Sequence, residues 1–141
     1  MLSAAGQAAP KGRGAYREVV DEAAFQSWLE AYVAGWRSYD SAAIGELFSE
    51  DVEYRYHPWD EAVRGREALV ENWLSDRDEP DSWTAEYRPW LVAGDNAVAV
   101  GVSRYFRPDG TTLDREYHNV FLCRFDGEGR CREFTEHFMR H

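Results

Sequence analysis

A run of apolar residues begins after Asp21 and recurs at three- and four-residue spacing. This spacing predicts an amphipathic helix that is capped by Asp21 and packs on more than one side. Its apolar stripe consists of Phe25, Trp28, Leu29, Tyr32, Val33 and Trp36. A second, short helix is predicted after a cap at Asp40 or Ser41. Its inward-facing residues are Ile44, Leu47 and Phe48.

From residue 51 the pattern changes to one in which apolar and polar residues alternate, which is typical of strands. Residues 51–57 predict a strand with Val52, Tyr54 and Tyr56 on one face, ended by Pro58. After a loop over 59–65, a third helix carries Leu69, Val70, Trp73 and Leu74. Four strands separated by short Gly/Asp turns complete the chain, at 83–92, 97–106, 112–125 and 131–139. This order predicts an α+β fold with a long antiparallel meander.

The strand at 97–106 is apolar on both faces, so we expect both faces to be covered. We predict that Val98, Val100, Val102 and Arg104 face the helices. Ala97, Ala99, Gly101 and Ser103 would then form a flat outer surface. A second copy of the chain is the expected cover, which predicts a homodimer. The alternative is cover by the N-terminal segment or a loop.

Composition narrows the possible partners. The chain has 141 residues and a formal net charge of −10, from 26 acidic and 16 basic residues. Such a surface repels phosphate backbones and anionic membranes, which argues against nucleic acid and membrane partners. No apolar run approaches the length of a membrane span, and no secretory signal is evident. We interpret residues 1–15 as a flexible tail and residues 16–141 as a single domain.

The two cysteines give no metal-binding or export pattern. Cys123 and Cys131 lack a CxxC arrangement, and the four histidines have no ligand spacing. Two thiols without an export signal fit the reducing cytoplasm. We predict no disulfide, since Cys123 falls on the inward register and Cys131 on the outward one. No nucleotide-binding or hydrolase motif is present, so no cofactor is expected.

The order of elements resembles the nuclear transport factor 2-like superfamily, which includes ketosteroid isomerases and SnoaL-like polyketide cyclases. The resemblance covers residues 22–140 and rests on four stretches: 32–34 with Asp40, 47–52, 63–68 and 125–130. It implies a cone, in which a curved antiparallel or mixed sheet wraps around the long first helix. It also implies a deep pocket at the open end and dimerisation through the outer sheet face.

The resemblance transfers little of the isomerase chemistry. Tyr32 matches the helix tyrosine that donates a hydrogen bond to the enolate in ketosteroid isomerases. The position of their general base is Tyr56 here, and the position of their third, acidic residue is Phe121. A phenol is a poor general base near neutral pH. A steroid isomerase working by that mechanism is therefore not expected, and no clear match to the cyclase aspartate is found.

Strand alternation still predicts an aromatic cavity with a few polar groups. Besides the inward face of 97–106, its expected lining is Tyr32, Trp36, Tyr54, Tyr56, Tyr117, Asn119, Phe121, Phe134, Glu136 and Phe138. Glu136 is the candidate base, oriented by Arg104 and Asn119, because inward charges must be paired or solvated. Tyr32 and Tyr56 are the candidate donors to an oxyanion. A salt bridge without chemistry is the alternative interpretation of Arg104 and Glu136.

The histidines and the remaining tryptophans add one candidate. His57 follows Tyr56 at the strand end, where it could act as a base at the pocket mouth. His118 and His137 fall on the outward register. Trp59, Trp73 and Trp90 either line the entrance or pack in the core.

Three functions remain open at this stage. The first is an acid/base enzyme on a hydrophobic organic substrate: an isomerase, cyclase, dehydratase or hydrolase. The second is a ligand-binding protein without chemistry. The third is a dimeric accessory module.

Overall fold

The structure is a computed structural model that describes residues 20–141. The predicted tail over residues 1–15 lies outside the described residues. The helices are α1 (Glu22–Ser38), α2 (Ser41–Glu46) and α3 (Arg66–Ser75). The strands are β1 (Phe48–Arg55), β2 (Val63–Arg64), β3 (Trp83–Ala93), β4 (Asn96–Phe106), β5 (Leu113–Phe125) and β6 (Cys131–Arg140). Between Val20 and His141, no helix has the length and apolar character needed to cross a membrane.

Local signals set the helix boundaries. The Asp21 side chain accepts a hydrogen bond from the Ala24 N–H at 2.8 Å, which satisfies a free donor at the start of α1. Tyr39 ends α1 in the left-handed conformation, with φ of 52°. Asp40 then caps α2 by accepting from the Ala42 and Ala43 N–H groups. Both predicted caps are confirmed.

The strands form one mixed sheet in the order β2-β1-β6-β5-β4-β3. All neighbouring strands are antiparallel except β1 and β6, which are parallel. The sheet curves around α1 and stays open rather than closing into a barrel. The predicted α+β fold and cone are thus confirmed. Strand β2 was not expected, since residues 59–65 were predicted as a loop.

The core lies between α1 and the concave face of the sheet, the face that looks toward α1. Trp28 is at its centre, perpendicular to Phe125 at 5.4 Å between ring centroids. Its indole N–H donates to the carbonyl oxygen of Leu47 at 2.9 Å, so the large ring is buried without an unsatisfied donor. Tyr32 stacks on Phe134 one turn further along α1, at 5.6 Å. This aromatic packing fixes α1 across the sheet.

The predicted faces of β4 are reversed. Ala97, Ala99 and Ser103 are buried on the concave face, whereas Arg104 is exposed on the opposite, convex face. The three valines of β4 share the convex face with Arg104. The physical reason is volume, because small side chains leave space for the large rings that neighbouring elements place over the concave face.

Gly101 shows this close packing directly. A Cβ atom at this position would overlap the carbonyl oxygen of Glu86 and the ring of Tyr87. Because Ala99 and Gly101 face the core, the flat outer surface predicted from them does not exist. The convex face instead presents Val98, Val100, Val102, Val120, Leu122 and Met139.

The two cysteines are both buried and both free. The outward placement predicted for Cys131 is wrong. A bulge causes the difference: Arg124 pairs with Glu133 and Phe125 pairs with Cys131, so one extra residue separates the two pairs on β6. The bulge returns Cys131 to the buried side of the sheet.

Candidate functional site

A cavity of about 320 Å³ opens between the end of α1, the C-terminal part of α3 and the concave face of β4, β5 and β6. Ten of its lining side chains are aromatic, and seven are polar or charged. This combination of apolar walls and a few convergent polar groups is typical of small-molecule sites. Within residues 20–141, no group of three or more His, Cys, Asp or Glu side chains is arranged to hold a metal ion.

Glu136 is the acidic group of the inner cavity. The side-chain amide of Asn119 donates to its Oε2 at 2.6 Å, and the Ser103 hydroxyl donates to Asn119 Oδ1 at 3.2 Å. Burial raises the pKa of Glu136 to about 7, while the Asn119 hydrogen bond and the charge of His57 act in the opposite direction. The chain of three strand residues therefore presents an oriented carboxylate that titrates near neutral pH.

Tyr32 and Tyr54 form a buried pair of phenols. Their hydroxyl oxygens are 2.7 Å apart, and the side chains are 6% and 1% exposed. Burial raises the pKa of both phenols well above the ordinary value, so both carry their protons. Two hydroxyls share one hydrogen bond, which leaves one hydrogen without an acceptor among the described residues. That hydrogen is available to an oxygen atom of a bound molecule.

Tyr56 is held by a residue of α3. Its hydroxyl donates to Asn72 Oδ1 at 2.5 Å. Burial raises its pKa, and the charges of Asp76 and Glu136 act in the same direction. The hydroxyl hydrogen of Tyr56 is thus already used, which makes Tyr56 a weaker candidate than Tyr32 for donation to an oxyanion.

The rim near the end of α1 is built around Asp78. The indole N–H of Trp36 donates to Asp78 Oδ2 at 2.8 Å, and the backbone N–H of Asp78 donates to the Tyr39 hydroxyl at 2.8 Å. The other face of this rim is stiffened by Trp36 stacking on Trp83, with centroids 3.5 Å apart. These contacts tie the loop after α3 to the end of α1.

The neighbouring part of the rim, at Tyr105, carries a positive charge. Arg115 lies over the ring of Tyr105, with 4.2 Å from Cζ to the ring centroid. Its guanidinium also donates to Asp114 Oδ2 at 3.0 Å. Arg115 is thus held in place by a ring and a carboxylate of the rim.

Most of the predicted site residues come together in this cavity. The lining includes Tyr32, Trp36, Tyr54, Tyr56, Tyr117, Asn119, Glu136 and Phe138. Phe121 and Phe134 lie beneath this layer in the core, at 1% and 0% exposure, and do not reach the cavity. His118 and His137 are exposed, as their register predicted. Trp73 lines the cavity, whereas Trp59 and Trp90 are exposed.

The predicted place of Arg104 beside Glu136 is wrong. Its Nε atom is 2.7 Å from Glu116 Oε1, on the convex face of the sheet. The cause is the reversed register of β4, which turns every odd-numbered residue of that strand inward. Within the described residues, Glu136 therefore has Asn119 as its hydrogen-bond partner and forms no salt bridge with an arginine.

His57 lies behind the cavity wall rather than in it. Its Nδ1 is 2.9 Å from Asp60 Oδ2, and its ring stacks on Trp59 at 5.0 Å. On the other side it contacts Phe138, with ring centroids 5.3 Å apart. Phe138 lines the cavity whereas His57 does not, so His57 lies behind this ring, where its charge still lowers the pKa of Glu136.

Several lining residues were missed by sequence reasoning: Tyr39, Asn72, Asp76, Asp78, Tyr87, Ser103, Tyr105 and Arg115. Arg115 could have been found, since it shares the parity of Tyr117 and Asn119. Ser103 and Tyr105 were excluded by the wrong face of β4. Asp76 and Asp78 lie in a polar segment without apolar periodicity, so the sequence does not indicate which of its side chains face the cavity.

The SnoaL-like domain family matches residues 29–134. The chain belongs to the SnoaL-like family. This SnoaL-like protein is also similar in fold to an NTF2-like protein of unknown function from Cytophaga hutchinsonii. The identity is 15%, with 81% of this chain and 98% of that chain covered and a TM-score of 0.60. No curated protein matches its sequence.

Two further solved structures share the fold. One is a ketosteroid isomerase-like protein from Erwinia carotovora atroseptica, with 16% identity, 84% and 95% of the two chains covered and a TM-score of 0.60. The other is an LEH-like epoxide hydrolase from M. tuberculosis, with 12% identity, 84% of each chain covered and a TM-score of 0.63. At these identities the likeness shows the NTF2-like fold alone.

Proposed function

We propose that this SnoaL-like protein is an acid/base enzyme that moves a proton on a small, largely apolar carbonyl compound. One observation carries the proposal: Glu136, held by Asn119, shares the cavity with the Tyr32–Tyr54 pair, which has a hydroxyl hydrogen to donate. A base and an oxyanion donor in one aromatic cavity are the two groups that enolisation needs.

In the proposed reaction Glu136 is the general base. Its carboxylate accepts a proton from the carbon next to the carbonyl group. The electron pair of that C–H bond forms a carbon–carbon double bond, and the π pair of the carbonyl group moves to its oxygen. The Tyr32–Tyr54 pair donates a hydrogen bond to the resulting oxyanion. Where the substrate has a carbon–carbon double bond β,γ to the carbonyl group, protonated Glu136 returns the proton to the γ-carbon and the double bond moves into conjugation, which completes an isomerisation; without that double bond the proton returns to the same carbon and only exchange results. A pKa of about 7 suits both directions of transfer at neutral pH.

The same groups support a second reaction, the hydrolysis of an epoxide. The likeness to the LEH-like epoxide hydrolase favours this candidate. Here Glu136 would take a proton from a water molecule whose oxygen bonds to an epoxide carbon, while the C–O bond of the ring at that carbon breaks. A tyrosine hydroxyl would protonate the opened ring oxygen, and the proton held by Glu136 would return to the tyrosine. A binding protein without chemistry is the remaining alternative, in which the cavity holds a ligand unchanged.

Exchange of carbon-bound hydrogen tests the proposal. We expect the protein to accelerate deuterium incorporation into 2-tetralone in D₂O above the buffer rate, and Glu136→Gln to lose this acceleration. Glu133→Gln is the matched control, because Glu133 is an exposed residue of the same strand. Equal exchange by wild type and Glu136→Gln would contradict the proposal. Binding of 2-tetralone without exchange would favour the binding protein.

We also propose a homodimer built on the convex face. Its contact surface would consist of the valine and leucine residues there rather than the small residues of β4 that the sequence predicted. Exposed apolar patches of this kind mark interaction surfaces, and closed two-fold dimers are the commonest oligomers. Val100→Asp should give monomers in sedimentation velocity at micromolar concentration, whereas Leu113→Asp outside the patch should leave the dimer intact. A monomeric wild-type protein would refute the dimer. The cytoplasmic location remains part of this proposal and rests on the sequence alone.

A further inference from the structure

Two buried polar side chains of the sheet form a path to Glu136. Among the Ser, Thr, Asn and Gln residues between 20 and 141, those that are buried are Ser49, Ser103 and Asn119, with 4%, 3% and 5% exposure. Ser103 is hydrogen-bonded to Asn119, and Asn119 is hydrogen-bonded to Glu136. Burying a hydroxyl or an amide costs free energy unless the group finds such a partner, so the path depends on each of its members.

Ser103 occupies a position that packing alone would give to alanine. It continues the row of small residues on the concave face of β4, after Ala97, Ala99 and Gly101. The large rings over this face explain why each member of the row is small, and a methyl group would fit there as well as a hydroxymethyl group. The hydroxyl of Ser103 is the one polar side-chain group of the row, and the packing does not account for it.

A neighbouring phenol orients the hydroxyl of Ser103. Burial raises the pKa of Tyr87, and a hydrogen bond with the Ser103 side chain acts in the opposite direction, so the two hydroxyl groups are neighbours on β3 and β4. Tyr87 keeps its proton and can donate it to Ser103 Oγ. The hydrogen of Ser103 then remains for Asn119 Oδ1, at 3.2 Å from Ser103 Oγ.

The direction of the Asn119 amide decides its effect on Glu136. With its NH₂ group toward Glu136 Oε2, at 2.6 Å, the amide stabilises the charged carboxylate. Turned by half a rotation, the amide oxygen would face the carboxyl group and favour its protonated form. The hydrogen bond from Ser103 to Oδ1 holds the first orientation, and it also polarises the amide, which makes the NH₂ group a stronger donor.

The other groups that face Glu136 do not replace this contact. The phenols around it keep their protons because burial raises their pKa values; they are Tyr32 on α1, Tyr54 and Tyr56 on β1, Tyr87 on β3 and Tyr105 on β4. Burial raises the pKa of Glu136 itself, and His57 opposes this from behind Phe138. The loop after α3 and strand β5 add the charged lining residues Asp76, Asp78 and Arg115. Within the described residues, Asn119 is therefore the hydrogen-bond donor that controls the charge of Glu136.

We propose that Ser103 is a positioning residue for Glu136: it fixes the orientation of the Asn119 amide and thereby keeps Glu136 available as a base. The path from Ser103 to Glu136 exists in the protein without a ligand, so the role of Ser103 can be measured without a substrate. The use that Glu136 makes of its charge, removal of a proton from carbon, rests on the proposed function.

Carbon NMR of the full chain tests the inference. Protein labelled with ¹³C at the side-chain carboxyl carbon of glutamate is titrated from acid to alkaline pH, and the signal of Glu136 is the one that Glu136→Gln removes. In Ser103→Ala we expect the midpoint of this signal to rise by about half a pH unit, because a hydrogen bond at one remove acts more weakly than a direct one. Ser103→Thr keeps the hydroxyl and should keep the wild-type midpoint.

Ser49→Ala is the matched control. Ser49 is as buried as Ser103 and donates to Asp51 Oδ1 at 2.8 Å, on β1 and away from the cavity lining. Its replacement should leave the midpoint of Glu136 unchanged. In Ser103→Ala the acid limb of 2-tetralone exchange should move upward together with the NMR midpoint. If no variant and no wild-type protein catalyses exchange, the proposed function fails while the NMR midpoint still decides the role of Ser103.

Two results would overturn the inference. One is a midpoint in Ser103→Ala that equals or lies below that of the wild type, even if the variant is less stable, because Ser103 would then have a structural role alone. The other is the same rise in Ser103→Ala and in Ser103→Thr. Should Ser103→Ala fail to fold by circular dichroism, Ser103→Cys replaces it with the same expected rise, since a thiol is a weak donor.

Discussion

Replacing Glu136 by glutamine should make the protein more stable at alkaline pH and leave it nearly unchanged at pH 4. The side chain keeps its shape, and its amide oxygen can still accept from Asn119. What disappears is the charge, which the cavity destabilises by burial. A functional carboxylate held in an apolar site is expected to reduce stability in this way.

The magnitude follows from the pKa. Folding raises the pKa of Glu136 from 4.5 to about 7, so the folded protein holds this proton more tightly than the unfolded chain does. At about 1.4 kcal/mol per pH unit, this difference is worth about 3 kcal/mol. This contribution of Glu136 to the free energy of unfolding of the wild-type protein is present in full below pH 4.5. It is lost as the pH rises through 7. Since the side chain is only partly buried, we expect about 2 kcal/mol in practice.

Urea unfolding followed by tryptophan fluorescence measures this directly. The free energy of unfolding of Glu136→Gln relative to wild type should rise by about 2 kcal/mol between pH 4.5 and pH 8.5. Glu133→Gln, exposed on the same strand, should show no such rise. A constant difference between Glu136→Gln and wild type at all pH values would refute the raised pKa and the acid/base role derived from it.

Three further outcomes are expected. Asn119→Leu removes the hydrogen bond that stabilises the charged form of Glu136. The pH profile of 2-tetralone exchange should therefore shift upward by about one unit. An unshifted profile would mean that Asn119 does not lower the pKa of Glu136. Tyr32→Phe/Tyr54→Phe should slow exchange about a hundredfold while 2-tetralone still binds. Exchange at the wild-type rate would exclude these phenols as the oxyanion donors. Ala99→Arg should unfold the protein, since it buries a charge at a position that is 0% exposed. Circular dichroism of a folded Ala99→Arg variant would show that β4 faces the other way.

Much of the fold could be read from local patterns. The three-and-four spacing after Asp21 predicted α1, and Asp21 and Asp40 predicted where α1 and α2 begin. These features depend on residues within one or two turns of each other, so the sequence contains all the information needed. The order of elements then resembled the NTF2-like superfamily, and the cone was expected from that resemblance.

Part of the candidate site was equally accessible. On β5 and β6 the aromatic residues all share one parity, which placed Asn119, Glu136 and Tyr117 on the cavity side. The first strand placed Tyr54 there for the same reason. On such strands a single register satisfies burial, because the opposite parity would bury charged residues.

The remaining parts depended on packing between distant segments. Strand β4 is apolar on both faces, so alternation alone could not show which face points to the core. The space taken by the rings of Tyr87 and Phe121 above Ala99 and Gly101 decides this. The bulge beside Cys131 likewise could not be seen in the alternation of residues, and it moved Cys131 from the expected outer face to the buried face of the sheet.

The patterns of the sequence thus determined the order of elements and the carboxylate that faces the cavity, while the curvature of the sheet was implied by the family resemblance. Only the tertiary structure decided what surrounds that carboxylate. Asp76 and Asp78 reach the mouth of the cavity because Trp36 and Tyr39 hold their loop through hydrogen bonds across some forty residues of chain. Side-chain periodicity is local, whereas the fit of volumes and hydrogen bonds between segments exists only once the chain has folded.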